Sequence, residues 1–363
     1  MTELSANTRL KRVPSERHAS FYRLQTEGLH NEYYIISSEG TRRLMSSPEV
    51  VGYESYLAMQ SSTTAALRSL FRKQKQEKVD ILTILRGGLN YPLEECCYKA
   101  GLKVPNMNFI SCERTIKDGV ITGLDIKYEK LHIAKGVTMM IGDIIATGDT
   151  LRMCLHEVVD FFYQHGGSIK RIIFFTIGGT KAIEVMEDLA GHLRERFPEF
   201  ECFQCVFYEG IFTIYQDKGV TGVNVPEIDF GWKGGVISPE FRHYMLSYSE
   251  NALYEKCIIY DGGARRYEIP VHYEEVIGYW KDLLAVADKA DFQAFVAEKI
   301  GYERNISYED WLNVTYFNGL NNLRPLYLQE RAFVARASRR KLKDICRQRI
   351  REVKRTLGRK YII

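Results

Sequence analysis

The run VTMMIGDIIATGDTLRMCLHEVV carries the strongest chemical signal in the chain. An apolar strand ends at Asp143, a short turn holds Ala146, Thr147 and Gly148, and Asp149 and Thr150 open an amphipathic helix. That order suits an anion. Where a parallel strand hands over to a helix, the loop exposes backbone N–H groups at the positive end of the helix dipole, and a phosphate can be held there. Gly148 permits close backbone approach, while Thr147 and Thr150 add hydroxyl donors. Asp143 faces the same crevice and can accept hydrogen bonds from a sugar hydroxyl. The same order also describes an ordinary connection in which a Thr or Asp merely caps the helix.

Upstream, VDILTILRGGLNYPLEE places Arg86, Gly87 and Gly88 directly after another apolar strand. Arg86 offers a guanidinium fork for diphosphate oxygens, and the glycines let backbone amides approach an anion without a side-chain clash. The alternative is a surface Arg beside a Gly turn. Between the two loops, NFISCERTIKDGVITGLDIKYEKL has an Asp118-Gly119 turn signal between alternating runs, which predicts an antiparallel hairpin carrying Arg114 and Lys117. Further on, Asp229, Phe230, Gly231 and Trp232 offer aromatic faces and backbone edges to a planar ring. Equally, they form a Gly-rich loop folded over Trp232 as a hydrophobic plug.

The segment GDIIATGDT resembles the 5-phosphoribosyl-1-pyrophosphate (PRPP) motif of type I phosphoribosyltransferases, and the RGG turn resembles the pyrophosphate loop of their uracil branch. The resemblance spans about residues 79 to 240. It implies that Ala146, Thr147, Gly148, Asp149 and Thr150 enclose the 5-phosphate, that Asp143 binds the ribose diol and Mg²⁺, and that Arg86, Gly87 and Gly88 hold the diphosphate. It further implies that the hairpin is a hood whose Arg114 and Lys117 close over the substrates, with Asp229 to Trp232 at the base. The implied reaction is phosphoribosyl transfer from PRPP to a base-like nitrogen, with Asp143, Arg86, Arg114 and Lys117 catalytic and pyrophosphate released. Two positions depart from the family pattern: Gly142 stands where the first of two acidic residues is usual, and Asp149 where a small or basic residue is usual. They leave room for a non-catalytic PRPP or nucleotide sensor that regulates a partner or nucleic acid through the basic C-terminal helix, or for a related pocket running phosphorolysis or cyclisation.

Elements must position these residues. From Pro48 to Lys78 apolar residues recur at helical spacing, and then short β-rich runs alternate with helical ones through VDILTIL, YPLEECCYKAG, NMNFISC, GVTMMIG, RIIFFTIG and FQCVFYEG. Near-continuous apolar strands such as RIIFFTI belong to a parallel sheet covered on both faces. The expected fold is therefore α/β, a largely parallel sheet flanked by helices, over residues 48 to 240. Residues 1 to 47 form an N-terminal extension with one strand at Tyr33-Tyr34-Ile35-Ile36, and residues 241 to 363 a helical C-terminal region.

The 363 residues, 45% hydrophobic and 12% aromatic, support a substantial buried core. No stretch approaches the ~18 uninterrupted apolar residues of a membrane span, and MTELSANTRLKR lacks the apolar segment of a secretory signal. The expected setting is the cytoplasm without membrane contact, and the expected state a homo-oligomer. Of the eight cysteines only Cys202 and Cys205 have C-x-x-C spacing, and without a second pair they read as core thiols on a strand. The net charge is only +4, yet Arg331 to Lys360 carries Arg336, Arg339, Arg340, Lys341, Lys343, Arg347, Arg349, Arg351, Lys354, Arg355 and Arg359 against Asp344 and Glu352. Interleaved Leu342, Ile345, Ile350, Val353 and Leu357 predict a helix docked by one face, with its cations turned to water, an acidic partner or nucleic acid.

Overall fold

The structure is a computed structural model that describes residues 4–5, 7–74, 77–117, 120–145, 147–214, 219–223, 230–255, 264–337 and 339–360. Ten strands form one sheet: β1 (Arg9–Val13), β2 (Ala19–Gln25), β3 (Glu32–Ser38), β4 (Val79–Ile84), β5 (Met107–Lys117), β6 (Val120–Lys130), β7 (Val137–Ile145), β8 (Ile169–Gly179), β9 (Phe203–Ile214) and β10 (Phe230–Ile237). Their order is β1-β2-β3-β9-β8-β7-β4-β5-β6, with β10 returning along β9. The six strands from β3 to β5 in that order pair in parallel, and the edges are antiparallel. The expected α/β architecture is present, its apolar runs β4 and β7 almost wholly buried as a two-sided sheet requires.

Five helices accompany the sheet: α1 (Glu39–Ser46), α2 (Tyr53–Leu70), α3 (Leu93–Ala100), α4 (Asp149–Gln164) and α5 (Lys181–Arg196). The path β7-α4-β8-α5-β9 runs one way across the sheet, whereas β4-α3-β5 runs the other. Right-handed crossovers then put α3 on the face opposite α4 and α5. Packing agrees, since α3 lies against α2, and α4 against α5. The reversal falls between β4 and β7. Open parallel sheets part at such a switch point, leaving a crevice at the carboxyl ends of the strands.

The N-terminal segment is more than the single strand at Tyr33 to Ile36. It adds three strands, of which β3 joins the parallel core by pairing with β9. Beyond β10 come α6 (Pro239–Tyr248), α7 (Ile269–Val286), α8 (Phe292–Ile300), α9 (Tyr308–Thr315), α10 (Arg324–Ala337) and α11 (Leu342–Lys360). No described helix is long and apolar enough to cross a membrane. One buried ion pair ties this layer together. The Glu330 carboxylate accepts from Arg242 Nε at 2.7 Å, Tyr302 Oη at 2.6 Å and Trp311 Nε1 at 2.8 Å, and Arg242 also donates to the Ile300 carbonyl at 3.1 Å. Four donors satisfy the carboxylate, which is what a buried charge needs. Glu330→Ala, which strands the Arg242 guanidinium, is expected to destabilise by about 3–5 kcal/mol in urea unfolding; a loss under about 1 kcal/mol would mean the pair carries no structural weight.

A second buried acid, Glu209, joins β9 to the N-terminal segment and to α6. Its backbone has φ 65°, at the point where β9 slips register against β8. The carboxyl accepts from Ser38 N at 3.1 Å, Thr41 Oγ1 at 2.5 Å and Ser238 Oγ at 3.2 Å, and these partners are neutral. Burial outweighs them and pushes the carboxyl up to about 7. A carboxyl raised on folding stabilises fully below its unfolded value near 4.5 and loses that contribution as pH rises through about 7. Glu209→Gln should therefore remove a decline in stability on the order of 3 kcal/mol between about pH 4.5 and 7. Unfolding curves of the variant that still decline equally over this interval would show that another group is responsible.

Candidate functional site

Two loops meet at the switch point. Leu82 pairs with Ile141, so Ile84 and Asp143 lie level where β4 and β7 leave the sheet. After β4 the Leu85–Arg86 peptide is cis and Gly87–Asn90 make one tight turn. Gly87 and Gly88 are buried and Arg86 is exposed. A Cβ on Gly88 would stand 3.0 Å from Thr83 Cγ2 and 3.3 Å from the Gly142 carbonyl oxygen, so a glycine is what lets this turn lie directly against β7. The RGG turn and the strand carrying Asp143 are thus neighbours.

At the end of β7, Asp143 is 5% exposed and its Oδ1 accepts from the Ile144 amide at 2.8 Å. Burial, with Cys112 and Asp143 close by, pushes the Cys154 thiol well above its usual range. Asp143 therefore sits beside α4 and close to the base of the hairpin. Ala146 lies outside the described residues. Thr147 is exposed, and Asp149 and Thr150 are half-buried in the first turn of α4. Gly148 has φ 84°, and a Cβ there would meet Val185 Cγ2 at 2.6 Å, so both conformation and packing demand glycine. The N-cap of α4 is Gly148, which has no side chain with which to cap the helix. Asp149 is the first helical residue rather than the cap, where the helix dipole favours its charge.

Gly142, the departure from the two-acid pattern, has a structural cause. A Cβ at this position would lie 2.5 Å from both Cβ and Cγ of Tyr91, whose ring is buried and whose hydroxyl receives the Ile177 amide at 3.4 Å. Tyr91 occupies the room that a side chain at 142 would need. RGGLNYP gives no local sign of this, because Tyr91 and Gly142 are far apart in sequence.

The hairpin is present. β5 and β6 pair antiparallel from Phe109 with Lys130 to Lys117 with Val120, and the Asp118-Gly119 turn itself lies outside the described residues. Arg114 and Lys117 both belong to β5. At the expected base region Asp229 lies outside the described residues, while Phe230, Gly231 and Trp232 begin β10. Phe230 packs 5.7 Å from Phe212, and Trp232 has the Arg242 guanidinium 4.5 Å from its ring centre. This strand is separated from β7 by β8 and β9, and its rings are engaged in packing. A hollow of about 860 Å³ lined by Lys233, Glu298 and Arg304 lies in the C-terminal helical layer and shares no residue with the two loops. Cys205 is a buried β9 thiol. Among the described residues no three His, Cys, Asp or Glu side chains cluster as a metal site.

No family model matches the chain, and no curated protein matches it. Solved structures similar to it include the adenine phosphoribosyl transferase of Trypanosoma brucei, 15% identical over 53% of this chain and 88% of that one, with a TM-score of 0.35. The purine phosphoribosyltransferase of Pyrococcus horikoshii is 17% identical over 41% and 87%, with a TM-score of 0.26. A hypoxanthine phosphoribosyltransferase of Staphylococcus aureus is 12% identical over 45% and 79%, with a TM-score of 0.28. These likenesses concern the fold alone, and no residue role is taken from them.

Gly142→Ala is expected to destabilise by about 1–3 kcal/mol through overpacking, and by less when Tyr91→Ala is already present. A double-mutant cycle in urea checks this; strictly additive losses would mean that the ring and residue 142 do not meet.

Proposed function

We propose that this protein is a phosphoribosyltransferase-type enzyme that binds PRPP at the switch point and transfers its phosphoribosyl group to a base-like nitrogen, releasing pyrophosphate. One observation carries the reading. Two glycine-bearing loops stand on adjacent parallel strands at the reversal of the sheet, one with an exposed arginine and the other leading into a helix whose N-cap is the glycine Gly148. The first suits a diphosphate and the second a terminal phosphate, with the buried Asp143 between them for the sugar.

Phosphoribosyl transfer passes through a cationic, oxocarbenium-like sugar, so the site must stabilise the departing diphosphate and orient the ring. Arg86 neutralises diphosphate oxygens, amides of the first turn of α4 and the hydroxyls of Thr147 and Thr150 anchor the 5-phosphate, and Asp143 accepts from ribose hydroxyls. The β5–β6 hairpin, with Arg114 and Lys117, excludes water as a hood. The donor set fits Mg²⁺ held by one carboxylate, Asp143, together with substrate oxygens. When bound there, the metal supplies further neutralisation of the leaving group. A base-like nitrogen acceptor and a cytoplasmic homo-oligomer accompany this reading.

Tyr91 supports a second reading, a PRPP or nucleotide sensor without turnover. It occupies the space of the first acidic side chain, and a lost hydrogen bond to a charged group weakens binding by about 1.5–3 kcal/mol, roughly ten- to a hundredfold. Incubation with Mg²⁺, PRPP and a panel of bases, followed by a pyrophosphate assay, separates the two. Pyrophosphate release supports the enzyme; tight PRPP binding without release supports the sensor; neither binding nor release contradicts both. Asp143→Asn is expected to lower PRPP affinity at least about tenfold, and unchanged calorimetric binding would remove Asp143 from the ribose site.

A further inference from the structure

We infer that the outer face of α11 is a docking surface for the phosphate backbone of a nucleic acid duplex. The inference is independent of the site at the switch point. α11 is fixed to the protein by Leu342, Ile345, Cys346 and Val353, all buried, and it packs along α7. Its third anchor is polar: Arg349 donates to Glu255 at 2.8 Å and to Glu352 at 3.1 Å. These contacts consume Glu352 on the inner side and leave the helix unable to rotate.

What remains outward is cationic. Arg347, Arg351, Arg355 and Arg359 stand four residues apart, with Lys354 beside them, and all five are exposed. Four-residue steps rise about 6 Å each and drift about 40° around the helix, so the four arginines form one gently winding ridge about 18 Å long. Acidic groups near the ridge gather at its start, where Asp344 lies 3.9 Å from Arg347 and Asp288 pairs with Lys343 at 2.5 Å. Glu49 accepts from Thr356 at 2.8 Å on the inner side. From Arg351 to Arg359 no described carboxylate lies within ion-pair distance of the ridge.

The residue types select the partner. The four arginines present planar forks that match phosphate oxygens in pairs and Lys354 adds a point charge beside them, where a solubilising face needs only point charges. An anionic membrane would bind a basic helix through neighbouring apolar side chains inserted between lipids. Here the apolar residues point inward, Ile350 and Leu357 included, since both pack against the core. A winding row of cations with no apolar edge, on a helix docked by its inner face, fits a phosphate backbone and reads no sequence.

Fluorescence anisotropy of the full chain with a labelled DNA duplex of about 20 base pairs tests this. Four to five phosphate contacts predict a slope near −4 for log affinity against log salt, so affinity falls about 250-fold between 50 and 200 mM. Replacing Arg351, Arg355 and Arg359 together by Gln should weaken binding at least about tenfold at low salt and flatten the slope by about 2.7. If that variant melts early, Arg355→Gln alone should flatten it by about 0.9. Absence of duplex binding at about 50 mM salt, an unchanged slope in the folded variants, or binding to phosphatidylserine vesicles in preference to duplex would each overturn the inference.

Discussion

The first amides of an α-helix have no carbonyl to bond within their own helix, and the N-cap of α4, Gly148, carries no side chain that could supply an acceptor. The rest of the proposed site is arranged around those donors. They stand at the carboxyl end of β7 because a parallel strand must leave the sheet there to begin its crossover. They are reachable because the crossovers diverge between β4 and β7, so no helix closes the gap on both sides. Gly148 completes the geometry, since its left-handed backbone and the Val185 methyl beneath it fix where α4 begins.

The glycine turn after β4 depends on the same constraint. Gly88 lies so close to the Gly142 carbonyl that the turn and β7 form one edge, which brings Arg86 to the same carboxyl end of the strands as the start of α4. Against this stands Tyr91, whose ring rests on Gly142. A site with one buried carboxylate can hold a sugar with fewer hydrogen bonds, and both readings of the function turn on whether that suffices for chemistry as well as binding.

Much of this was legible in the sequence because it is local. Continuous apolar runs marked β4, β7 and β8, the Asp118-Gly119 pair marked the hairpin, and the inward positions Leu342, Ile345 and Val353 marked the docked face of α11. What escaped is long-range. Glu330 meets Arg242 across 88 residues and Glu209 meets Thr41 across 168, and no periodicity announces such partners. β1 escaped for a different reason: only Leu10 of its five residues is buried, so the alternation that signals a strand is missing. Trp232 illustrates an ambiguity that pattern could not settle, because an aromatic beside glycines serves a ligand or a core equally well. Here it packs under Arg242.

The most direct measurement is a crystal structure of the protein soaked with ribose 5-phosphate. The account predicts the phosphate within hydrogen-bond distance of the Asp149 and Thr150 amides, with ribose hydroxyls toward Asp143. A phosphate bound elsewhere, or α4 amides engaged by protein groups with no ligand at the switch point, would contradict it.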